Sequence, residues 1–71
     1  MPKIIAQIVV GLPVEGPFDY SIPEDWQGRL MAGQRVVVSF AHAKRLGVVV
    51  GMTKDSQIKN IKPIQAVLEN H

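Results

Sequence analysis

Two runs of three valines, residues 36–38 and 48–50, constrain the fold of this 71-residue chain more than any other feature. β-Branched residues favour extended strands, and two such runs on either side of a short polar segment are typical of a β-hairpin. Pairing Phe40 with Leu46 leaves a positively charged loop of five residues, 41–45. Because side chains alternate along a strand, the predicted inward face holds Val36, Val38, Phe40, Leu46, Val48 and Val50.

Three further segments have the pattern of strands. Residues 3–10 alternate so that Ala6, Ile8 and Val10 face the core together with Ile4. Residues 18–22 form a short strand between two prolines, and residues 61–68 form the last strand, which contains Pro63. Proline lacks the amide donor that a ladder needs, so both of these strands are expected at sheet edges.

One segment has no strand alternation. Residues 23–27 suit a single helical turn with acidic residues near its amino end, and Leu30 and Met31 after it are expected to pack against the sheet. Residues 1–71 are therefore expected to form one all-β domain. The expected architecture is a small barrel of five to six strands, SH3-like or OB-like, with a short helical turn.

Composition argues against catalysis and metal binding by this chain. It contains no cysteine, which excludes disulfides and thiolate metal sites. Neither His42 nor His71 has a second ligand at metal-binding spacing, and no Walker or GxGxxG pattern occurs. The longest apolar runs are far shorter than the ~20 residues that span a membrane. We expect a non-enzymatic, cytoplasmic domain without a metal or cofactor of its own.

Charge is distributed unevenly along the chain. Residues 34–62 contain six basic residues and one acidic residue, whereas residues 1–33 contain two basic and four acidic residues. A basic half on a small β domain is compatible with a polyanionic partner, and equally with a solvated surface. Lys44 and Arg45 in the hairpin loop, together with Lys59 and with Lys62 on the last strand, are candidates for phosphate contacts.

Phe18, Asp19 and Tyr20 are the candidate binding residues. If they serve only the fold, both aromatic rings belong to the core and Asp19 is an exposed strand residue. If they bind nucleic acid, an aromatic ring stacks on a base, worth ~1–3 kcal/mol, and the carboxylate accepts a hydrogen bond from a sugar hydroxyl. Trp26 is interpreted as structural.

The order of these motifs resembles a known family. FDY at residues 18–20, PE at 23–24, GQRVVVSF at 33–40 and RLGVVV at 45–50 are similar to the start of the bacterial primosomal protein N′ family, the PriA replication-restart helicases. The resemblance implies a 3′-DNA-binding domain. Such a domain captures the 3′-terminal nucleotide of the nascent leading strand at stalled or abandoned replication forks.

The resemblance also implies roles for individual residues. Phe18 and Asp19, with the adjoining Tyr20, belong to the pocket for the terminal base and its free 3′-hydroxyl. Ala41 occupies the position at which the family has a glycine in the pocket, and Lys62 aligns with the lysine of that pocket. Lys59 is the alternative for that lysine, and Ser39 replaces the family's usual proline.

The parent protein that this family implies is an ATP-dependent 3′-to-5′ DNA helicase that uses ATP, magnesium and zinc. Its expected partners are DNA at forks and D-loops, the remaining helicase domains, other primosome proteins and single-stranded DNA-binding protein. Two other functions stay open from the residues alone. One is a sequence-independent RNA-binding small barrel, and the other is a peptide-binding SH3-like module with Phe18, Tyr20 and Trp26 as its aromatic groove.

Overall fold

A computed structural model describes residues 4–54 and 61–68 and shows one antiparallel sheet of five strands. The strands are β1 (Ile5–Val10), β2 (Phe18–Ser21), β3 (Arg35–Phe40), β4 (Ala43–Thr53) and β5 (Ala66–Leu68). They lie in the order β2-β1-β4-β3-β5, so the two proline-flanked segments are at the sheet edges, as predicted. A 3₁₀ turn, Glu24–Trp26, is the expected helical turn.

The segment before β5 brings the two edges of the sheet together. Ser21 of β2 donates its N–H to the Lys62 carbonyl at 3.0 Å and accepts the Ile64 N–H at 3.0 Å. Pro63 lies between the two bonded residues, so its missing N–H is not needed. Within residues 4–54 and 61–68, no continuous ladder of hydrogen bonds closes the sheet, and the arrangement is compatible with a small barrel-like fold. The last strand is shorter than predicted, covering three residues rather than 61–68.

The predicted register of the central hairpin is wrong. Phe40 pairs with Ala43, so the loop has two residues rather than five, and Val36 pairs with Gly47. This odd shift moves every β4 side chain to the opposite face. Val49 is therefore buried, whereas Leu46, Val48 and Val50, which were predicted to face inward, are 50%, 38% and 50% exposed.

Gly47 explains how β4 packs closely on β1. A Cβ atom at Gly47 would lie 2.6 Å from Cγ2 of Ile8 and 3.1 Å from the Val9 carbonyl oxygen. Both distances are below ordinary van der Waals contact. The absence of a side chain at residue 47 is thus required by the approach of the two strands.

The core lies on the inner face of the curled sheet. Ala6, Ile8 and Val10 of β1 are buried as predicted, and the remaining core side chains are Tyr20, Ile22, Leu30, Val36, Val38, Val49 and Ile64. The 3₁₀ turn is tied to this core through Gln27, whose side-chain amide donates to the carbonyls of Ile4 and Ile22.

The segment after the 3₁₀ turn matches its prediction only in part. Leu30 is buried, and its N–H donates to the Trp26 carbonyl. Met31 is 68% exposed, so its predicted packing against the sheet is wrong. Its N–H donates to Oε1 of Gln34, which holds this residue in the loop before β3. In the described part of the chain, no helix has the length and apolar character to cross a membrane.

Candidate functional site

An open depression of about 340 Å³ lies where the edge of β2, the end of β3 and residues 61–62 meet. Its volume is at the lower end of the ~300–1,000 Å³ typical of small-ligand sites. The lining residues are Pro17, Phe18, Asp19, Tyr20, Ser39, Phe40, Ala41, Ile61 and Lys62.

The depression brings together the residues predicted to bind a strand end. Phe18, Asp19 and Tyr20 come from β2, Ala41 follows β3, and Lys62 lies in the segment before β5. These three segments are far apart in the chain, and the curling of the sheet makes them adjacent. Lys59, the alternative pocket lysine, is outside the described residues.

Aromatic side chains form one wall of the depression. Phe18 is half-buried and faces Phe40, with ring centroids 4.9 Å apart and ring planes inclined at 57°. Such a tilted pair is a favourable aromatic contact, and it leaves part of each ring facing the depression. Phe40 was predicted only as a core residue. Its position next to Ala41 in the sequence motif is the signal that could have identified it as part of the site.

Tyr20 has a different role from Phe18. It is only 5% exposed, and its hydroxyl donates a hydrogen bond to the Ser39 carbonyl oxygen at 2.8 Å. Burial raises the pKa of the Tyr20 phenol above its ordinary value, which favours the protonated hydroxyl that donates this bond. The Tyr20 ring therefore belongs to the core, and Tyr20 also contributes to the lining of the depression.

Asp19 and Lys62 place opposite charges on the rim. Asp19 is half-buried on the edge strand β2, where it pairs with Gln7 of β1 and lines the depression next to Phe18. The Lys62 side chain is exposed, and its backbone is fixed by the hydrogen bond from Ser21. An acceptor and a cation on one rim are suited to a ligand that has both a hydroxyl and a phosphate.

Ala41 occupies a backbone conformation that normally favours glycine. Its φ is 51° and that of His42 is 63°, so both loop residues are left-handed, as a type I′ hairpin turn requires. The glycine that the resemblance places at residue 41 has no steric cost in this conformation. In this chain, Ala41 has the same left-handed backbone conformation, and its methyl group is an additional part of the lining of the depression.

Lys44 and Arg45 do not line the depression. They border a second groove of about 470 Å³ on β4 and the end of β1, together with Val9, Leu46 and Val48. Their assignment as phosphate contacts remains a prediction. Trp26 is absent from both linings and packs partly against the core, with the Arg29 guanidinium 4.6 Å from its ring centroid. The depression thus contains Phe18 and Tyr20 of the predicted peptide groove but not Trp26.

No group of three or more His, Asp or Glu side chains that could hold a metal ion occurs within residues 4–54 and 61–68.

Comparisons with known proteins identify the family. Residues 7–71 match the model of the PriA 3′-DNA-binding domain (3′BD). The chain is 30% identical over 69 residues to the replication restart protein PriA of Bacillus subtilis (strain 168). This alignment covers 90% of the present chain and 9% of the Bacillus subtilis protein. It is 29% identical over 62 residues to the replication restart protein PriA of Chlamydia pneumoniae, with coverages of 87% and 8%. The chain thus spans less than a tenth of the length of either relative.

Proposed function

This chain belongs to the PriA 3′-DNA-binding domain family, and on that premise we propose that its depression binds the 3′-terminal nucleotide of a DNA strand. The observation that supports this proposal is the convergence of Phe18, Asp19, Ala41 and Lys62, from three separate segments, on one cavity. Family membership itself indicates a DNA-binding role. Capture of the end of a strand is the more specific part of the proposal.

Phe18 supplies the stacking surface for the terminal base. The Phe18–Phe40 contact holds the ring at a fixed inclination, so little side-chain entropy is lost when a base stacks on it. Stacking is tolerant of base identity because every base has a π face. The bound strand end is therefore expected to show little base preference.

Asp19 gives the selectivity for a terminal nucleotide. Such a nucleotide differs from an internal one in having a free 3′-hydroxyl and no following phosphate. A carboxylate accepts a hydrogen bond from the hydroxyl and repels a phosphate at the same place, so one residue selects both features. Lys62 contacts the phosphate on the 5′ side of the terminal nucleotide.

The biological setting is proposed from the relatives. The domain would hold the 3′ end of the nascent leading strand at a stalled or abandoned fork, as part of a longer ATP-dependent helicase that restarts replication. ATP, magnesium and zinc would be bound elsewhere in that protein. The remaining helicase domains, other primosome proteins and single-stranded DNA-binding protein would be its partners in the bacterial cytoplasm.

Fluorescence anisotropy with two oligonucleotides of one sequence tests the proposal. One carries a 3′-hydroxyl and the other a 3′-phosphate. We expect the native domain to bind the hydroxyl end at least tenfold more tightly, since a charge-assisted hydrogen bond contributes roughly 1.5–3 kcal/mol. Asp19→Ala should abolish this preference.

Two further variants sharpen the test. Asp19→Asn keeps an acceptor oxygen but removes the charge, so it should lose discrimination against the 3′-phosphate while retaining part of the affinity for the hydroxyl end. Asp25→Ala removes the same charge from an exposed position on the 3₁₀ turn and should leave the preference unchanged. Equal binding of both ends by the native domain would overturn end recognition and favour the sequence-independent RNA-binding barrel.

A further inference from the structure

We propose that the Tyr20 hydroxyl is a positioning group, which sets the width of the depression by fixing the end of β3 against β2. This role rests on the proposed function, because the wall that Tyr20 positions is the one that would contact the terminal nucleotide.

The hydrogen bond from Tyr20 connects strands that are not neighbours in the sheet. β2 and β3 are separated by β1 and β4, yet the Tyr20 hydroxyl reaches the Ser39 carbonyl at 2.8 Å. Tyr20 follows Phe18 and Asp19, and Ser39 precedes Phe40 and Ala41. The bond therefore directly joins the β2 and β3 segments that line the depression.

Two other links complete a ring around the depression. Ser21 exchanges backbone hydrogen bonds with Lys62 and Ile64, and the Gln65 N–H donates to the Val37 carbonyl at 2.8 Å. The first link joins β2 to the segment before β5, and the second joins that segment to β3. Both are backbone bonds that a side-chain substitution leaves in place. Of the three links, the one from Tyr20 is made by a side chain.

The Tyr20–Ser39 hydrogen bond is suited to holding β2 and the end of β3 at a fixed distance. Tyr20 is buried in the core, so its ring is held by packing and its hydroxyl has a defined position. The acceptor is a backbone carbonyl, so serine at residue 39, or the proline that the resemblance places there, provides it equally. Without the Tyr20 hydroxyl, the end of β3 loses its direct hydrogen bond to β2. The Phe18 and Phe40 rings, which lie on these two segments, can then move apart.

Tyr20→Phe is the decisive variant, because it removes the hydroxyl and keeps the ring. The readout is the ratio of the dissociation constants for the 3′-phosphate and 3′-hydroxyl oligonucleotides. Partial unfolding weakens binding of both oligonucleotides equally, so this ratio does not respond to stability alone. We expect the ratio to fall about fivefold, the equivalent of one neutral hydrogen bond.

A second readout needs no DNA. In the native domain, NMR should show a nuclear Overhauser contact between the Phe18 and Phe40 rings, which are 4.9 Å apart. In Tyr20→Phe this contact should weaken, and the amide signals of Ser39 to Ala41 should shift. Val49→Ala is the control, since it removes packing from a buried residue that does not line the depression. It should lower stability and leave both readouts unchanged.

The possible outcomes separate the two proposals. If the native domain prefers the hydroxyl end and Tyr20→Phe keeps the full preference, the positioning role is overturned and end recognition stands. If the native domain shows no preference, end recognition is overturned. The ring contact then decides the role of Tyr20 alone: an unchanged contact in Tyr20→Phe overturns it, and a weakened contact supports it.

Discussion

Ala41 and His42 show the cost of building a tight turn without glycine. Both have positive φ, a region that costs L-residues roughly 1–2 kcal/mol each. The pairing of Phe40 with Ala43 allows only a two-residue connection, so the strands impose the left-handed backbone on whichever residues lie between them.

Ala41→Gly should therefore stabilise the domain. Relief of the left-handed strain exceeds the entropy that glycine adds to the unfolded chain, leaving a net gain of about 0.5–1 kcal/mol. Urea unfolding followed by circular dichroism measures this change. Ala43→Gly, on the adjacent strand residue with no positive φ, should instead lower stability. A loss of stability in both variants would show that residue 41 is not strained.

At the scale of single residues, the sequence predicted which side chains would lie close together, and their binding roles stay predictions. The FDY motif and Lys62 led to residues that share one depression. The two aromatic rings differ in burial: Tyr20 belongs to the core, whereas Phe18 is half-buried and lines the depression. Periodicity places both rings on one face and does not reveal how far each lies from the sheet edge.

β4 shows why the elements were predicted and their register was not. Valine occupies both faces of this strand at residues 48–50, so hydrophobicity does not distinguish inward from outward positions. Ala41-His42 also lacks the Asn-Gly or Asp-Gly signal that usually marks a two-residue hairpin turn. In β1, by contrast, Gln7 interrupts the apolar residues, and the predicted inward face is confirmed.

Gly47→Ala tests the register through the contact of β4 with β1. The added Cβ would overlap Cγ2 of Ile8 and crowd the Val9 carbonyl, so the strands must separate. We expect a loss of about 1–3 kcal/mol in unfolding free energy, as for other overpacked cores, measurable by thermal or urea unfolding.

Gly11→Ala provides the matched control for this substitution. A Cβ there lies 3.6 Å from its nearest neighbour, the Leu46 carbonyl oxygen, an ordinary contact, so stability should change little. A tolerated alanine at residue 47 would contradict the pairing of Gly47 with Val10 and Val36.

At the scale of the whole molecule, the basic residues are separated along β4. Lys44 and Arg45 lie at the hairpin end, whereas Lys54 follows the opposite end of the strand. Leu46, Val48 and Val9 are exposed on the sheet beside the first pair. We predict that phosphates beyond the terminal nucleotide contact the hairpin end.

Salt dependence of oligonucleotide binding tests this assignment. Lys44→Gln should make the slope of log K against log salt concentration shallower by about 0.7, the value for one neutralised phosphate on a single strand. Lys54→Gln removes the same charge at the far end of β4 and should leave the slope as it is in the native domain. Identical slopes for all three proteins would exclude Lys44 from contact with phosphate.

The assembly of the depression from residues 17–20, 39–41 and 61–62 couples ligand binding to the folding equilibrium. Each segment by itself has only a fragment of the surface, so the unfolded chain has no affinity for a strand end beyond its charge. Binding to the native state alone adds to its stability by mass action. A DNA end captured as proposed would act on this domain as a non-covalent cross-link, which joins these three segments for as long as it stays bound.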